Sequence, residues 1–180
     1  MSSKAGDHHD QDAPIEVMWE GKFIATKRRG KWEFVSRTRG IKAAVILAIT
    51  EGDVLLVEQF RVPMGKACIE LPAGLIGDHD ADEDPLEAAG RELEEETGYR
   101  AGRLEDLGEY FSSPGMVSES FTLVRAHDLI KVGDGGGVDG ENITVHKVAM
   151  PQLPAFLANK RAEGYGIDVR LLMLPGMIDF

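Results

Sequence analysis

The 180-residue chain has a single cysteine, Cys68, and so cannot form a disulfide within itself. This favours a reducing compartment, and we expect a cytoplasmic protein. Basic residues are also scarce, because 20 Lys and Arg stand against 31 Asp and Glu, which gives a formal net charge of −11. Such an acidic excess argues against nucleic acid or an anionic membrane as the main partner. A phosphorylated substrate stays open, since bound metal ions can reverse the local field.

Long apolar runs are missing as well. No stretch reaches the roughly 18 residues that a membrane-spanning helix needs, and the polar first residues show no signal-peptide core. With 43% hydrophobic and 28% charged residues, the composition is that of a globular protein with a core. We expect a disordered tail over residues 1–13, a small antiparallel β meander over 14–40 and one main α/β domain over 41–180.

The second half of the stretch 70–99 has complete signals for a helix. Asp84 can cap the N-terminus, Pro85 suits the first helical position, and Gly98 suits a left-handed C-cap. Leu86 and Leu93 fall on one apolar face. The pattern therefore predicts a helix from about residue 85 to residue 97.

The opposite face of this helix carries three carboxylates, Glu92, Glu95 and Glu96. Like charges at this spacing repel by about 0.2–0.5 kcal/mol per pair. Arg91, four residues before Glu95, can relieve part of the repulsion, and a divalent cation would relieve more. From the residues alone, this is either a solvated glutamate-rich face or a metal site.

The wider pattern favours the metal site. Residues 91–99 read R-E-L-E-E-E-T-G-Y, and Glu83 precedes them by eight positions. This resembles the Nudix box. The position of the box glycine is ambiguous: counted from Gly74, the loop 75–84 is a few residues longer than usual, whereas Glu83 fits if Gly77 is the glycine.

The resemblance implies an α/β/α Nudix sandwich with a mixed sheet, which hydrolyses a diphosphate linked to another moiety. It implies Mg²⁺, with Mn²⁺ as the alternative. The metal ligands would be Glu92, Glu95, Glu96 and the backbone carbonyl of Ala73. Arg91 would orient the glutamates, and Glu95 would also belong to the catalytic set.

Four segments resemble the ADP-ribose and ADP-sugar pyrophosphatase branch of that family. They are KWEFVSRTR at 31–39, QFRVPMG at 59–65, ELPAG at 70–74 and SPG at 113–115. The resemblance implies a nucleoside diphosphate sugar as substrate, with ADP-ribose as the first choice and AMP and ribose 5-phosphate as products. GDP-mannose or another sugar nucleotide is the alternative, and a non-catalytic Nudix ligand sensor is the less favoured one.

In that branch two aromatic rings hold the base, and Phe23 and Trp32 match their positions. From the residues alone, an apolar strand face of the meander is the favoured interpretation of both rings, and base stacking is the alternative. The branch also forms an intertwined homodimer through its N-terminal strands, so that Trp32 would act across the interface. The remaining substrate contacts implied by the resemblance are Arg37, Arg61, Glu70 and Glu119.

The general base implied by the resemblance is Glu141, in the sequence VDGENITV. It ends the glycine-rich stretch 131–141, which we expect to be a mobile lid or active-site loop. Two more helices are predicted after the next strand, over about 151–163 and 167–178.

Overall fold

The structure is a computed structural model that describes residues 10–77, 83–138 and 140–174. Most of the predicted disordered tail, much of the loop 75–84 and the end of the last predicted helix therefore lie outside the described residues. None of the helices in the described ranges is long and apolar enough to cross a membrane. In chain order the elements are strands β1 (Ile15–Glu20), β2 (Ile24–Arg29), β3 (Trp32–Arg37), β4 (Lys42–Thr50), β5 (Asp53–Arg61), β6 (Lys66–Glu70) and β7 (Ala73–Ile76), helix α1 (Pro85–Thr97), strands β8 (Tyr99–Arg100), β9 (Arg103–Phe111), β10 (Ser120–His127), β11 (Ile130–Lys131) and β12 (Thr144–Ala149), helix α2 (Leu153–Ala162) and strand β13 (Gly166–Ile167).

The central sheet is mixed, as predicted. Its strands follow the order β13-β6-β5-β4-β10-β9, with β12 paired to β5 and β7 paired to β4. The pairs β4–β10 and β6–β13 are parallel, whereas the other pairs in the sheet are antiparallel. The β4–β7 pairing matters most for the site, because it carries the ELPAG segment to the middle of the sheet.

Strand β4 shows why the sheet is covered on both faces. Ala44 and Ile46 pack in the cluster that includes Leu93 of α1. Val45 and Leu47, which alternate with them, pack in the other cluster, with α2 and the C-terminal segment. A strand that is buried on both faces is apolar at every position, which accounts for the sequence AAVILA. The predicted α/β/α sandwich is confirmed.

The predicted N-terminal meander is a separate antiparallel sheet of β1, β2 and β3. It is tied to the main sheet by the loop before β10, since the Val35 N–H donates to the Met116 carbonyl and the Ser118 N–H donates to the Val35 carbonyl, both at 2.9 Å. Every residue of β1 is exposed. The meander therefore presents an exposed edge strand on which four apolar side chains, Ile15, Val17, Met18 and Trp19, accompany two glutamates.

Helix α1 begins and ends where the sequence predicts. The Asp84 side chain accepts a hydrogen bond from the Leu86 N–H at 2.7 Å, and Gly98 adopts the left-handed conformation with φ +73°. Gly90, in the helix interior, is a costly residue for a helix. A Cβ there would lie 3.2 Å from Leu104 Cδ1, so the glycine permits close packing of α1 against β9.

The last predicted helix is wrong within the described residues. Gly166–Ile167 instead forms β13, parallel to β6, and a 3-10 helix follows over Val169–Met173. The Asp168 side chain caps this 3-10 helix by accepting from the Arg170 N–H at 2.8 Å. The pairing with β6 holds the chain extended, which overrides the helical pattern of the sequence.

Candidate active site

Arg91 lies at the centre of the acidic face of α1. Its Nη1 donates to Glu92 Oε1 at 2.8 Å and to Glu95 Oε2 at 3.3 Å, and its Nη2 donates to Glu83 Oε1 at 3.2 Å. One guanidinium thus holds three carboxylates. This is the geometry expected of a residue that orients glutamates.

A hydrogen bond to the second carboxylate oxygen of Glu83 indicates which glycine is the glycine of the box. Glu83 Oε2 accepts a hydrogen bond from the Gly77 N–H at 3.2 Å. Gly77 itself has φ +83°, a conformation that suits glycine. The chain of contacts from Gly77 through Glu83 to Arg91 therefore favours Gly77 as the glycine of the box.

Glu96 is the most deeply buried carboxylate of the site, with 4% of its surface exposed. Its Oε2 accepts from the Ala73 N–H at 3.0 Å. Burial raises the pKa of Glu96 to about 8, and the charges of Glu92 and Glu141 add to the rise, against the Ala73 hydrogen bond and the charge of Arg61. The carboxylate lies in a place that is short of positive charge.

Burial also raises the pKa of Glu92. Arg91 opposes this rise through a hydrogen bond and its charge, whereas Glu95 and Glu141 add to it. The charge of Glu141 therefore reaches both Glu92 and Glu96. The structure brings the predicted base to the same face as two predicted metal ligands.

Gly74 lets β7 lie directly on this face. A Cβ at position 74 would stand 2.0 Å from both Cγ and Cδ of Glu92. Only a residue without a side chain fits there while Glu92 keeps its position. This close approach places the ELPAG backbone beside the carboxylates.

The carboxylate oxygens on this face suit a hard divalent cation, although the side chains are not close enough together in this arrangement to surround one. Among the described residues, no three His, Cys, Asp or Glu side chains stand close enough together to hold a metal ion. Arg91 and the Ala73 N–H engage the carboxylate oxygens in this arrangement. Carboxylate oxygens are donors that Mg²⁺ prefers, usually one or two of them together with substrate phosphates.

The glycine-rich stretch after β11 is hydrogen-bonded to the C-terminal end of α1. The Gly136 N–H donates to the Glu96 carbonyl at 2.8 Å, and the Gly137 N–H donates to the Glu95 carbonyl at 3.0 Å. This part of the stretch is thus hydrogen-bonded to the helix, and its mobility as a lid stays a prediction. Glu141 follows it, and its Oε2 accepts from the Val138 N–H at 3.0 Å.

Arg61 and Glu70, both predicted to contact substrate, are paired with each other. Arg61 Nε donates to Glu70 Oε1 and Arg61 Nη2 donates to Glu70 Oε2, each at 2.7 Å. A second arginine, Arg170, lies 3.7 Å from Glu70 Oε2. The sequence gives no local signal for Arg170 because its segment reads as a helix.

Arg37 and Glu119 form another pair of predicted contacts. Arg37 Nε donates to Glu119 Oε1, so that β3 is joined to the segment just before β10. Both residues line a cavity of about 370 Å³ together with Thr38 and Ser118. The pair lies between the meander and the main sheet.

Trp32 and Phe23 are both exposed but lie apart. Trp32 lines a cavity of about 640 Å³ with Phe34 and Pro114. The β2–β3 register pairs Trp32 with Arg29 and places Phe23 just beyond the far end of the same hairpin. At about 3.3 Å per residue, the two are separated by roughly 17 Å or more, so one copy of the chain cannot hold one base between them.

Comparison with known proteins identifies the family to which the chain belongs. The NUDIX domain family matches residues 39–162, and the chain belongs to that family. The ADP-ribose pyrophosphatase of Saccharomyces cerevisiae is 32% identical over 176 residues, 87% of this chain and 75% of its own. The GDP-mannose pyrophosphatase of Cronobacter sakazakii is 39% identical over 146 residues, 76% of this chain and 72% of its own.

A solved structure described as an ADP compounds hydrolase shares the fold. It superposes with a TM-score of 0.64 over 81% of this chain and 80% of its own, at 20% sequence identity.

We expect Gly74→Ala to reduce activity far more than stability. The new methyl group would displace the flexible Glu92 side chain, which can move at little cost to folding. A nucleotide-sugar hydrolysis assay and a thermal melt on the same preparation measure the two effects. Full activity in this variant would contradict the packing of β7 on Glu92.

We expect Glu96→Gln to stabilise the metal-free protein at alkaline pH. The folded-state pKa of about 8 exceeds the ordinary value of 4.5, so unfolding releases a proton between these values and wild-type stability falls as pH rises through that window. Thermal melts in EDTA at pH 8.5 should place the variant about 10 °C or more above wild type, because a pKa shift of this size corresponds to roughly 5 kcal/mol and 1 kcal/mol shifts Tm by about 2–4 °C for a chain of this length. The difference should vanish near pH 4. A difference in Tm between the variant and wild type that does not change with pH would contradict a buried, protonated Glu96.

Proposed function

We propose that this protein hydrolyses the diphosphate bond of a nucleoside diphosphate sugar, with ADP-ribose as the preferred substrate and AMP and ribose 5-phosphate as products. The proposal rests on the cluster of carboxylates that Arg91 holds together on α1. The charge of Glu141 acts on two of them, Glu92 and Glu96. The names of the yeast and Cronobacter relatives support a sugar nucleotide as the substrate.

The cofactor in this proposal is Mg²⁺, with Mn²⁺ as the alternative. Glu92, Glu95 and Glu96 would hold it, with the carbonyl of Ala73. Once bound, it would neutralise the diphosphate and activate a water molecule. The raised pKa of Glu92 and of Glu96 supports this assignment, because burial and the neighbouring carboxylates outweigh the positive charge of Arg91 and Arg61 there.

The other groups act through their own charge and geometry. Glu141 would take the proton of the attacking water on its carboxylate as the general base. Arg61 and Arg37 would bind the diphosphate oxygens, since a guanidinium can offer paired N–H groups to a phosphate. Each of these arginines is already paired with a carboxylate, Glu70 or Glu119.

The base would be held between two copies of the chain. Trp32 of one copy and Phe23 of the other would form the clamp, because the two rings lie too far apart within one copy. The exposed apolar side chains of β1, among them Val17 and Trp19, support a homodimer through the meander. Charge supports it too: residues 14–40 carry seven basic and three acidic side chains, a net of +4 in a chain of net −11.

A GDP-sugar hydrolase is the second candidate. The relative named GDP-mannose pyrophosphatase is 39% identical over 146 residues, whereas the yeast ADP-ribose pyrophosphatase is 32% identical over a longer match of 176 residues. The metal-binding and acid–base groups would be the same in both cases. The two candidates differ only in the base and sugar that the Trp32 cavity accepts. The lone, buried Cys68 supports a reducing compartment such as the cytoplasm for either.

The test is AMP release from ADP-ribose, with and without Mg²⁺, beside GMP release from GDP-mannose. We expect magnesium-dependent release, with ADP-ribose the better substrate. Glu95→Gln should abolish turnover, and Glu141→Gln should slow it about a hundredfold or more, as expected for loss of a general base. Glu94→Gln is the matched control, because Glu94 lies on the same helix but pairs with the exposed Arg100. Preference for GDP-mannose would favour the second candidate. Equal loss in the control would contradict the site assignment.

We expect Trp32→Ala to raise KM much more than it lowers kcat. Base stacking on an aromatic ring contributes about 1–3 kcal/mol per base, which corresponds to a rise in KM of about tenfold or more. Steady-state kinetics with ADP-ribose measure this, and Trp32→Phe should recover most of the loss. Sedimentation of the same variants checks that the oligomeric state is kept. An unchanged KM with an intact dimer would remove the stacking role.

A further inference from the structure

A row of four alternating charges runs from the end of β5 to the C-terminal segment. Arg61 holds both oxygens of Glu70 through two hydrogen bonds of 2.7 Å. Arg170 Nη2 lies 3.7 Å from Glu70 Oε2, which is within reach of an ion pair but beyond a hydrogen bond. Arg170 in turn donates to both carboxylate oxygens of Asp168. Glu70 therefore has two cationic neighbours, and only one of them is bonded to it.

This row lies next to the acidic cluster of α1. The charge of Arg61 lowers the pKa of Glu96, and the charge of Glu96 raises the pKa of Arg61. Glu70 ends β6, three residues before Ala73. A group that binds between Arg61 and Glu96 would therefore contact Arg61 before any other member of the row.

The proposed role of Arg61 conflicts with its present partner. Glu70 engages Nε and Nη2 of Arg61, so a large part of the Arg61 charge is already offset by a carboxylate. Glu70 is 5% exposed and has little water to replace a lost partner. A buried carboxylate left without its cation costs several kcal/mol in general. An Arg61 that turns toward a diphosphate needs another group to hold Glu70.

We propose that Arg170 is a positioning residue that takes over Glu70 when Arg61 turns its charge toward the diphosphate. This rests on the proposed function, in which Arg61 binds the diphosphate of the substrate. Arg170 acts through Glu70 and makes no contact with the substrate. Its distance of 3.7 Å from Glu70 lets a small movement convert the ion pair into a hydrogen bond.

The surroundings of Arg170 keep it ready for this role. The guanidinium carbon lies 5.4 Å from the centre of the Phe121 ring, a cation–π contact. Asp168 is fixed in turn, since its N–H donates to the Ile69 carbonyl at 3.0 Å and its side chain caps the 3-10 helix. The C-terminal segment thus has a function beyond covering the core.

The test is a double-mutant cycle of Arg170→Met and Glu70→Gln. The probe is methylenediphosphonate in the presence of Mg²⁺, which presents two linked phosphonates and has no bridging oxygen to hydrolyse. Calorimetry gives its Kd for the full-length protein. We expect Arg170→Met to weaken binding about tenfold or more, because Glu70 then loses its replacement partner. In the Glu70→Gln background the same change should alter Kd less than twofold, because no buried charge needs a partner.

Several controls separate this role from a structural one. Arg170→Met leaves Asp168 unpaired in both backgrounds, so that effect cancels in the cycle. Arg170→Lys keeps the charge but loses the paired contact with Asp168, and should bind more weakly than wild type but more tightly than Arg170→Met. Arg100→Met removes a surface arginine that pairs with Glu94 and should leave Kd unchanged. Thermal melts report the loss of stability independently of the binding.

A merely structural Arg170 would lower Tm and leave Kd the same, or would weaken binding equally in both backgrounds. Either result would overturn the proposal, and so would a wild-type protein that does not bind methylenediphosphonate. The proposed function fails in a different way. If the cycle shows the expected coupling while ADP-ribose and GDP-mannose are not hydrolysed, the inference about Arg170 holds and the assigned reaction is wrong.

Discussion

The structure depends on burying negative charge along one face of α1. Glu92 and Glu96 are pushed toward the protonated state by burial, and each also feels the charge of Glu141. The folded chain offsets this cost with two direct contacts, from the guanidinium of Arg91 and from the backbone N–H of Ala73, and with the charge of Arg61. The rest of the site is arranged around these two contacts, because β7 must lie on the helix for one of them to exist.

The same constraint accounts for the glycines after β11. A helix ends with unpaired carbonyls and a partial negative charge, and α1 adds acidic side chains there with no basic residue in its last turn. The N–H groups of Gly136 and Gly137 meet two of these carbonyls. A Cβ on Gly135 would lie 2.5 Å from the Thr97 backbone carbon, so the loop can dock only as glycine. Its composition therefore reflects close approach, and docking is what brings Glu141 near the carboxylates.

The sequence predicted those features that depend only on residues close together along the chain. The caps of α1 and the Arg91 pattern depend on residues within a few turns of one helix, and the structure has them as expected. The position of Arg170 depends on the pairing of β13 with β6, which joins segments about a hundred residues apart. The separation of Phe23 from Trp32 likewise depends on strand register. Spacing along one helix could not give either result.

Arginine–carboxylate pairing recurs at each part of the site. Arg91 holds glutamates on α1, Arg61 holds Glu70, and Arg37 holds Glu119. Before a ligand arrives, such pairs keep flexible guanidinium groups in fixed places, which lowers the entropy cost of binding an anion.

The same pairs also offset the positive charge that the anion needs. A diphosphate therefore gains full benefit from an arginine only where the partner carboxylate stays in water or has a second cation. Glu119 keeps about a third of its side chain exposed, whereas Glu70 is buried and has Arg170 beside it. In the proposed function, Arg37 and Arg61 would thus meet the same requirement by different means, one through solvent and one through the C-terminal segment.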